Sequence, residues 1–421
     1  MNHLLYSILL LSLLVACGGG GADNTSSTAA SPDPMSAPIP AAPAGNQPSP
    51  SAPSRPPEPV EPEPNGPGRL EGATPLNRIP AADIAQAVAA GIAAGDTVPP
   101  VSPVYEVANH RVSYLTLDGQ GRTVTASGLI SVPVKAAGAR SPVISYQHGT
   151  IFRDAEAPSN HAVASEPAVI MASLGYIVIA ADYVGYGVSK GAEHPYLLSA
   201  PSASAVLDLL TAAKSWRRNN GIADNGQLFL VGYSEGGYVT MAAHRAMQSG
   251  GSPHLAGLVA ALPGAGPYHV GLTMDELLRR VKAELPVIGA LISPGFLKRL
   301  GSTVRDEVRR LLLRLIVPGD ADVTFQTTVL DTYMADDTDA MERQSNVHDW
   351  KPEAPVRLFH GHEDETVPYA SGARTLEAMQ SRGATQVGLT DCAAAPSNHL
   401  NCVVPYWSFM LAQMSAVAKD L

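Results

Sequence analysis

Short runs of apolar residues recur along this sequence, and several of them alternate with segments of helical periodicity. Four runs have the length and composition of buried strands, at 142–146, 176–181, 228–232 and 258–263. The segment near 202–218 repeats apolar residues on one face of a helix. Buried strands that alternate with helices predict an α/β fold, with a mostly parallel sheet covered by helices on both faces.

Two segments before these runs have strand character. Residues 105–116 and 123–132 are rich in β-forming residues, and the turn-like Asp118-Gly119-Gln120-Gly121 lies between them. The pattern predicts an antiparallel hairpin at one edge of the sheet.

A long segment separates the run at 258–263 from the next strand-like run, at 355–361. Residues 269–354 within it are predicted to be helical, because amphipathic stretches occupy 274–285 and 304–317. We interpret the segment as a helical cap over the sheet edge, which can shield a substrate from water. A helical subdomain that only adds stability is the alternative.

One predicted strand ends in a glycine-rich turn with a central serine. Gly232-Tyr233-Ser234-Glu235-Gly236-Gly237 follows the apolar run directly. A strand that turns sharply into a helix at a serine holds the hydroxyl exposed above the sheet. The N–H of Glu235 would lie at the helix N-terminus, where it can stabilise an oxyanion. We therefore predict Ser234 to be a nucleophile and Glu235 to be a backbone oxyanion donor.

Three further motifs accompany this turn: Tyr146-Gln147-His148-Gly149-Thr150, Asp182-Tyr183-Val184-Gly185-Tyr186-Gly187 and His194-Pro195-Tyr196. Together with the serine turn they resemble the α/β-hydrolases and, within that fold, the lipase A-like secretory lipase family. The resemblance covers residues 100–420. It implies an α/β-hydrolase fold with a helical cap inserted after the sixth strand, and catalytic residues in the order Ser, Asp, His.

This implied order indicates the acid and the base. Asp364 resembles the family's acid by the spacing Asp-x-x-Val-Pro, and of the twelve histidines only His399 lies beyond it. We expect His399 to accept the proton of Ser234 and Asp364 to orient the imidazole. By the same resemblance, Thr150 is the second oxyanion donor, with Gly149 or a shifted residue as the alternative.

The sequence has only three cysteines, Cys17, Cys392 and Cys402. Cys17 follows an apolar stretch with the length of a signal-peptide core, and Leu14-Val15-Ala16-Cys17 resembles the bacterial lipobox, in which the cysteine is lipidated. An ordinary secretory signal is the alternative. If Cys17 carries lipid, export favours a disulfide between Cys392 and Cys402, with two free thiols as the alternative.

Composition divides the chain into three parts. Residues 1–17 are predicted to be a lipoprotein signal peptide with its lipobox cysteine, and residues 18–75 a disordered tether rich in Pro, Ala, Gly and Ser. Residues 76–421 would form the catalytic domain. We expect an exported protein whose lipid anchors it to a bacterial membrane, at the outer membrane or cell surface.

Several classes of function are disfavoured. The net charge is -10 and no basic stripe carries interleaved aromatic residues, so a nucleic-acid partner is not expected. His360 and His362 share a face of a strand, but the only obvious further metal ligands are the predicted catalytic acids. We therefore expect no metal and no cofactor.

The resemblance and the apolar cap favour hydrolysis of a small-molecule ester or lipid with a hydrophobic acyl group, through an acyl-enzyme. Two alternatives stay open at this point. One is a serine peptidase of the same fold that acts on short peptides. The other is a surface lipoprotein that binds a ligand without catalysis.

Overall fold

The computed structural model describes residues 64–421, apart from 286–288 and 290–291. These residues belong to one unit, Glu61–Leu421. The predicted signal peptide, Cys17 and the greater part of the predicted tether lie outside the described residues.

In the described part of the chain, nine strands form one sheet. They are β1 (Leu70–Ile79), β2 (Val107–Leu117), β3 (Thr123–Pro133), β4 (Ser141–Gln147), β5 (Ile177–Ala181), β6 (Asp224–Tyr233), β7 (Leu258–Gly264), β8 (Val356–His360) and β9 (Val387–Asp391). Their order across the sheet is β1-β2-β3-β5-β4-β6-β7-β8-β9. The first three pairings are antiparallel and the other five are parallel. The predicted mostly parallel sheet with an antiparallel edge is confirmed.

Ten α-helices accompany the sheet in the described residues. They are α1 (Ala81–Ala94), α2 (Pro167–Ser173), α3 (Ser199–Asn219), α4 (Glu235–Ser249), α5 (Val270–Glu284), α6 (Ser302–Ile316), α7 (Thr328–Met334), α8 (Thr338–Gln344), α9 (Tyr369–Ser381) and α10 (Val403–Ser415). None of the helices described is long and apolar enough to cross a membrane.

Two hydrophobic clusters lie on opposite faces of the sheet. Successive residues of β6 belong to different clusters: Leu230 to the cluster that includes Leu209 of α3, and Val231 to the one that includes Met410 of α10. This alternation follows from the two-residue period of a strand. Because both faces are covered, the central strands read as continuous apolar runs, and that is why the sequence indicated them clearly.

The first strand corrects the predicted boundary of the domain. We expected the tether to extend to residue 75, but β1 begins at Leu70 and pairs with β2. None of the ten residues of β1 is buried, so no apolar alternation indicates it. Pro75 lies beside a register shift of this edge strand, a position where the missing N–H is tolerated. The strand is therefore held mainly by main-chain pairing.

Helices α5 to α8 form the inserted segment between β7 and β8. Since β1 was not anticipated, the insertion follows the seventh strand and not the predicted sixth. Its two ends meet at its base, where the N–H of Val347 donates to the carbonyl of Tyr268 (2.9 Å) and the N–H of Val270 donates to Oδ1 of Asn346 (2.8 Å). The insertion thus leaves and re-enters the sheet at one place. Its role as a cap over a substrate stays a prediction.

A buried carboxyl lies at the start of α2. Glu166 directly precedes Pro167, the first residue of that helix, and its exposed fraction is 7%. Burial raises the pKa of Glu166 to about 8; a hydrogen bond from the N–H of Ala168 opposes the shift, and the nearby Asp182 adds to it. The folded protein therefore keeps this proton at pH values where an exposed glutamate has lost it.

This raised pKa predicts a pH-dependent gain in stability for Glu166→Gln. Between the unfolded value of 4.5 and about 8, the unfolded chain releases the proton and the folded protein retains it, so wild-type stability falls as pH rises. We expect E166Q to be the more stable protein above pH 8, with the difference shrinking as pH falls toward about 5. Urea denaturation across this pH range measures the difference in the free energy of unfolding between the two proteins. The exposed Glu353→Gln is the control, and a difference that does not change with pH would contradict the prediction.

Candidate active site

Ser234 lies at the sharp turn between β6 and α4. Its φ is 59° and its ψ is -123°, a conformation that non-glycine residues rarely adopt. Its N–H donates to the carbonyl of Gly264 (2.9 Å), and its own carbonyl accepts from the N–H of Tyr238 (3.1 Å). The strained backbone is thus held from both sides, and the hydroxyl projects beyond the end of the strand.

Close backbone packing explains the glycines of this turn. A Cβ on Gly236 would lie 2.1 Å from the carbonyl oxygen of Gln147, and a Cβ on Gly237 would lie 2.4 Å from that of Gly264. A Cβ on Gly232 would lie 2.4 Å from the carbonyl oxygen of Gly236. The first turn of α4 therefore touches the ends of β4 and β7, and a side chain at any of these positions would push it away.

The three predicted catalytic side chains lie in one hydrogen-bonded row. Nε2 of His399 lies 2.8 Å from Oγ of Ser234, and Nδ1 of His399 lies 2.6 Å from Oδ2 of Asp364. Asp364 follows β8, and His399 lies in the loop between β9 and α10. Residues far apart in sequence meet here because the carboxyl ends of parallel strands share one edge of the sheet.

Asp364 is buried and remains charged. Burial would raise the pKa of its carboxyl, but hydrogen bonds from His360 and His399 outweigh that effect and lower the pKa to about 2. Its Oδ1 also accepts the N–H groups of Thr366 (2.9 Å) and Val367 (2.8 Å). An ionised Asp364 keeps the His399 proton on Nδ1, so Nε2 is free to accept a proton from Ser234.

The loop that carries His399 is braced by covalent and polar contacts. Cys392 and Cys402 form a disulfide, which confirms that prediction. The hydroxyl of Tyr233 donates to the carbonyl of His399 (2.7 Å). The carboxylate of Glu363 accepts the N–H of Ser397 (2.7 Å). No pattern in the sequence indicated that Glu363 would hold this loop.

The loop after β4 passes beside the serine. A Cβ on Gly149 would lie 3.8 Å from Cβ of Ser234, and Thr150 follows directly. The hydroxyls of Tyr183 and Tyr186 donate to the carbonyls on either side, at His148 (3.1 Å) and Ile151 (2.7 Å). These two tyrosines explain why the 182–187 motif accompanies the serine turn. The assignment of Thr150, with Gly149 as its alternative, and of Glu235 as oxyanion donors stays a prediction.

His360 and His362, the two histidines considered above as metal ligands, contact other groups. Nε2 of His360 lies 2.9 Å from the carbonyl oxygen of Val367, while the exposed His362 stacks on Tyr369 and pairs with Asp391. No group of three or more His, Cys, Asp or Glu residues suited to a metal ion occurs among residues 64–421 as described.

Comparison with known proteins agrees with this geometry. Residues 159–349 match the family model described as secretory lipase. The match covers less than half of the chain, and the sheet order and the helices on both faces are those of an α/β-hydrolase fold. The matched region includes the serine turn and α5 to α8, and it ends before Asp364. No curated protein matches this sequence significantly.

Solved structures share the fold of this chain. The rice cell wall degrading esterase LipA from Xanthomonas oryzae superposes with a TM-score of 0.62 at 22% identity, over 84% of this chain and 98% of that one. A putative hydrolase from Legionella pneumophila gives 0.64 at 22% identity, over 83% and 99%. Lipase A from Candida antarctica in its closed state gives 0.52 at 16% identity, over 85% and 84%. At these identities the likeness establishes the α/β-hydrolase fold.

Removing the disulfide is expected to destabilise the folded protein. Its two cysteines are 10 residues apart, and closing so short a loop stabilises the folded state by about 3 kcal/mol in the chain-entropy view. We expect the C392S/C402S double variant to lose stability of this order in urea denaturation, with reduced wild-type protein behaving alike. Equal stability of the oxidised and the double-variant proteins, or two free thiols in the mass of non-reduced protein, would contradict the expectation.

Proposed function

We propose that this protein is a serine esterase that hydrolyses carboxylic esters with hydrophobic acyl groups through an acyl-enzyme on Ser234. The observation that carries the proposal is the row of Asp364, His399 and Ser234, with the serine at a strained strand-to-helix turn. The secretory lipase match supports an ester as the substrate. The esterase from Xanthomonas oryzae and the lipase from Candida antarctica that share the fold are consistent with this choice.

The geometry supports a two-step acyl transfer. Nε2 of His399 takes the proton of Ser234 as Oγ attacks the ester carbonyl, and the charge of Asp364 stabilises the resulting imidazolium. The N–H groups of Glu235 and of Thr150 or Gly149 receive the developing oxyanion. His399 then protonates the leaving alcohol, and a water molecule repeats the sequence on the acyl-enzyme.

Apolar surroundings support a hydrophobic acyl group. A groove of about 260 Å³ is lined by Leu313, Val317, Val323, Thr324, Phe325 and Thr327 of the inserted segment. The ring of Phe325 packs against those of His194 and Tyr196, and His194 pairs with Glu235, the residue after Ser234. Phe325 thus lies both in the groove and beside the residues behind the serine turn, and we propose that the acyl chain lies along this apolar surface.

An acyl-chain series tests the proposed activity. We expect p-nitrophenyl esters with longer acyl chains to be hydrolysed with higher kcat/KM than the acetate, and all of them faster than peptide anilides. Ser234→Ala should lower kcat by a factor on the order of 10⁵ or more, because the nucleophile is lost. Ser415→Ala, on an exposed position of α10, is the matched control.

Fluorophosphonate labelling adds an independent readout of the same serine. Wild-type protein and the Ser415→Ala control should be labelled, and Ser234→Ala should not. A well-folded wild-type protein that takes no label would refute the proposed hydrolase. Faster cleavage of anilides than of esters would replace the esterase with a peptidase.

We further propose that the protein is exported and held at a bacterial membrane by lipid on Cys17. The resemblance of residues 14–17 to the lipobox supports the anchor, and the secretory lipase match and the disulfide are consistent with export. The lipobox lies outside the described residues, and the disulfide lies within them.

Metabolic labelling with a radioactive fatty acid tests the anchor. Wild-type protein expressed in a bacterial host should incorporate the label and sediment with membranes, and Cys17→Ala should do neither. Ser12→Ala, within the same apolar stretch, should behave as wild type. Absence of label from the wild-type protein would reject the lipid anchor and leave an ordinary secretory signal as the explanation.

A further inference from the structure

A buried imidazole lies behind the serine turn. His194, between β5 and α3, pairs with Glu235, the residue that follows Ser234, and the side chain of each is 2% exposed. Nε2 of His194 lies 2.7 Å from Oε1 of Glu235, and Nδ1 lies 3.0 Å from the carbonyl oxygen of Val184. The resemblance that pointed to this histidine assigned it no role.

The contacts of the imidazole determine how many protons the pair holds. A carbonyl oxygen only accepts, so Nδ1 of His194 carries a proton. The short contact between Nε2 and Oε1 needs a second proton, on the imidazole or on the carboxyl. In both cases the pair of His194 and Glu235 has zero net charge.

Neighbouring groups do not supply a proton to Glu235. Its Oε2 is buried and has no hydrogen-bond partner among the residues that the structure describes. Of the titratable side chains in electrostatic reach of the carboxyl, four are engaged with loop carbonyls: His148, Tyr183, Tyr186 and Tyr238. The fifth, Tyr196, keeps its proton because burial raises the pKa of its hydroxyl. Within the described residues, His194 is therefore the group placed to neutralise this carboxyl.

Neutrality matters because of where Glu235 lies. Its backbone N–H is the proposed donor to the oxyanion, so its side chain lies close to the point where negative charge develops. In a buried site two like charges repel far more strongly than in water, since little solvent screens them. An unpaired carboxylate on Glu235 would therefore oppose the transition state, while the neutral pair does not.

The same histidine is joined to the inserted segment. Its N–H donates to the carbonyl of Thr324 (2.8 Å), and its carbonyl accepts the N–H of Gln326 (2.8 Å). Its ring meets that of Phe325 edge-on, with centroids 5.2 Å apart. The side chain of His194 thus serves the serine turn while its backbone pairs with the segment between α6 and α7.

We propose that His194 is a positioning residue that forms a pair of zero net charge with the buried carboxyl of Glu235 beside Ser234, and that its pairing with residues 324–326 fixes it against the inserted segment. This inference rests on the proposed ester hydrolysis.

A rescue experiment tests the role of His194. Gln at position 194 can still donate a hydrogen bond to Glu235 but brings no compensating charge. We expect His194→Gln to lower kcat on p-nitrophenyl butyrate by roughly 10- to 100-fold. KM should change little, because the ground-state ester is uncharged. In the H194Q/E235Q double variant the carboxylate is gone, and kcat should recover roughly tenfold over H194Q. The single variant E235Q completes the double-mutant cycle.

His244→Gln is the matched control. His244 is also fully buried and lies on α4, the helix that begins at Glu235. The kcat of this variant should stay near the wild-type value. H194Q with wild-type kcat, or a double variant no more active than H194Q, overturns the role of His194 and leaves the esterase standing. A wild-type enzyme without turnover overturns both.

A measurement on the wild-type protein covers the case in which H194Q does not fold. NMR of ¹⁵N-labelled histidine and ¹³C-labelled glutamate reports the protonation of His194 and Glu235. An imidazolium with a carboxylate, or a neutral imidazole with a carboxylic acid, supports the proposal. Any other net charge on the pair overturns it.

Discussion

The site depends on one close approach, the contact of the first turn of α4 with the ends of β4 and β7. Glycines at 232, 236 and 237 permit it, because any side chain there would meet a backbone carbonyl. This packing holds Ser234 at a positive φ and places Gly149 beside it. The strain at Ser234 is thus compensated by packing and hydrogen bonds around it, which is how strained residues persist at functional sites.

Each loop at this edge of the sheet is held by its own set of contacts. The loop of His399 is fixed by the disulfide, by Tyr233 and by Glu363. The loop of Thr150 is fixed by the hydroxyls of two tyrosines. An imidazole and an oxyanion site must stay within tenths of an ångström of their working positions, so mobile loops need such bracing.

The inserted segment is connected to the turn that carries Ser234 through buried contacts of His194. His194 pairs with residues 324–326 through its backbone and with Glu235 through its ring. A displacement of that segment would therefore reach the turn that carries Ser234. The groove beside Phe325 lies on the same path, so the surface suited to an acyl chain and the polar pair behind the nucleophile share one structural element.

The sequence by itself determined the buried strands and the serine turn, and its resemblance to a known family indicated the row from Asp364 to Ser234. Buried strands have continuous apolar runs, and the turn requires glycines at fixed places, so both leave a local pattern. The tertiary structure alone decided the edge strand β1, the brace from Glu363 and the pairing of His194 with Glu235. β1 is held by main-chain pairing, and the other two join residues distant in sequence, so nothing local in the sequence records them.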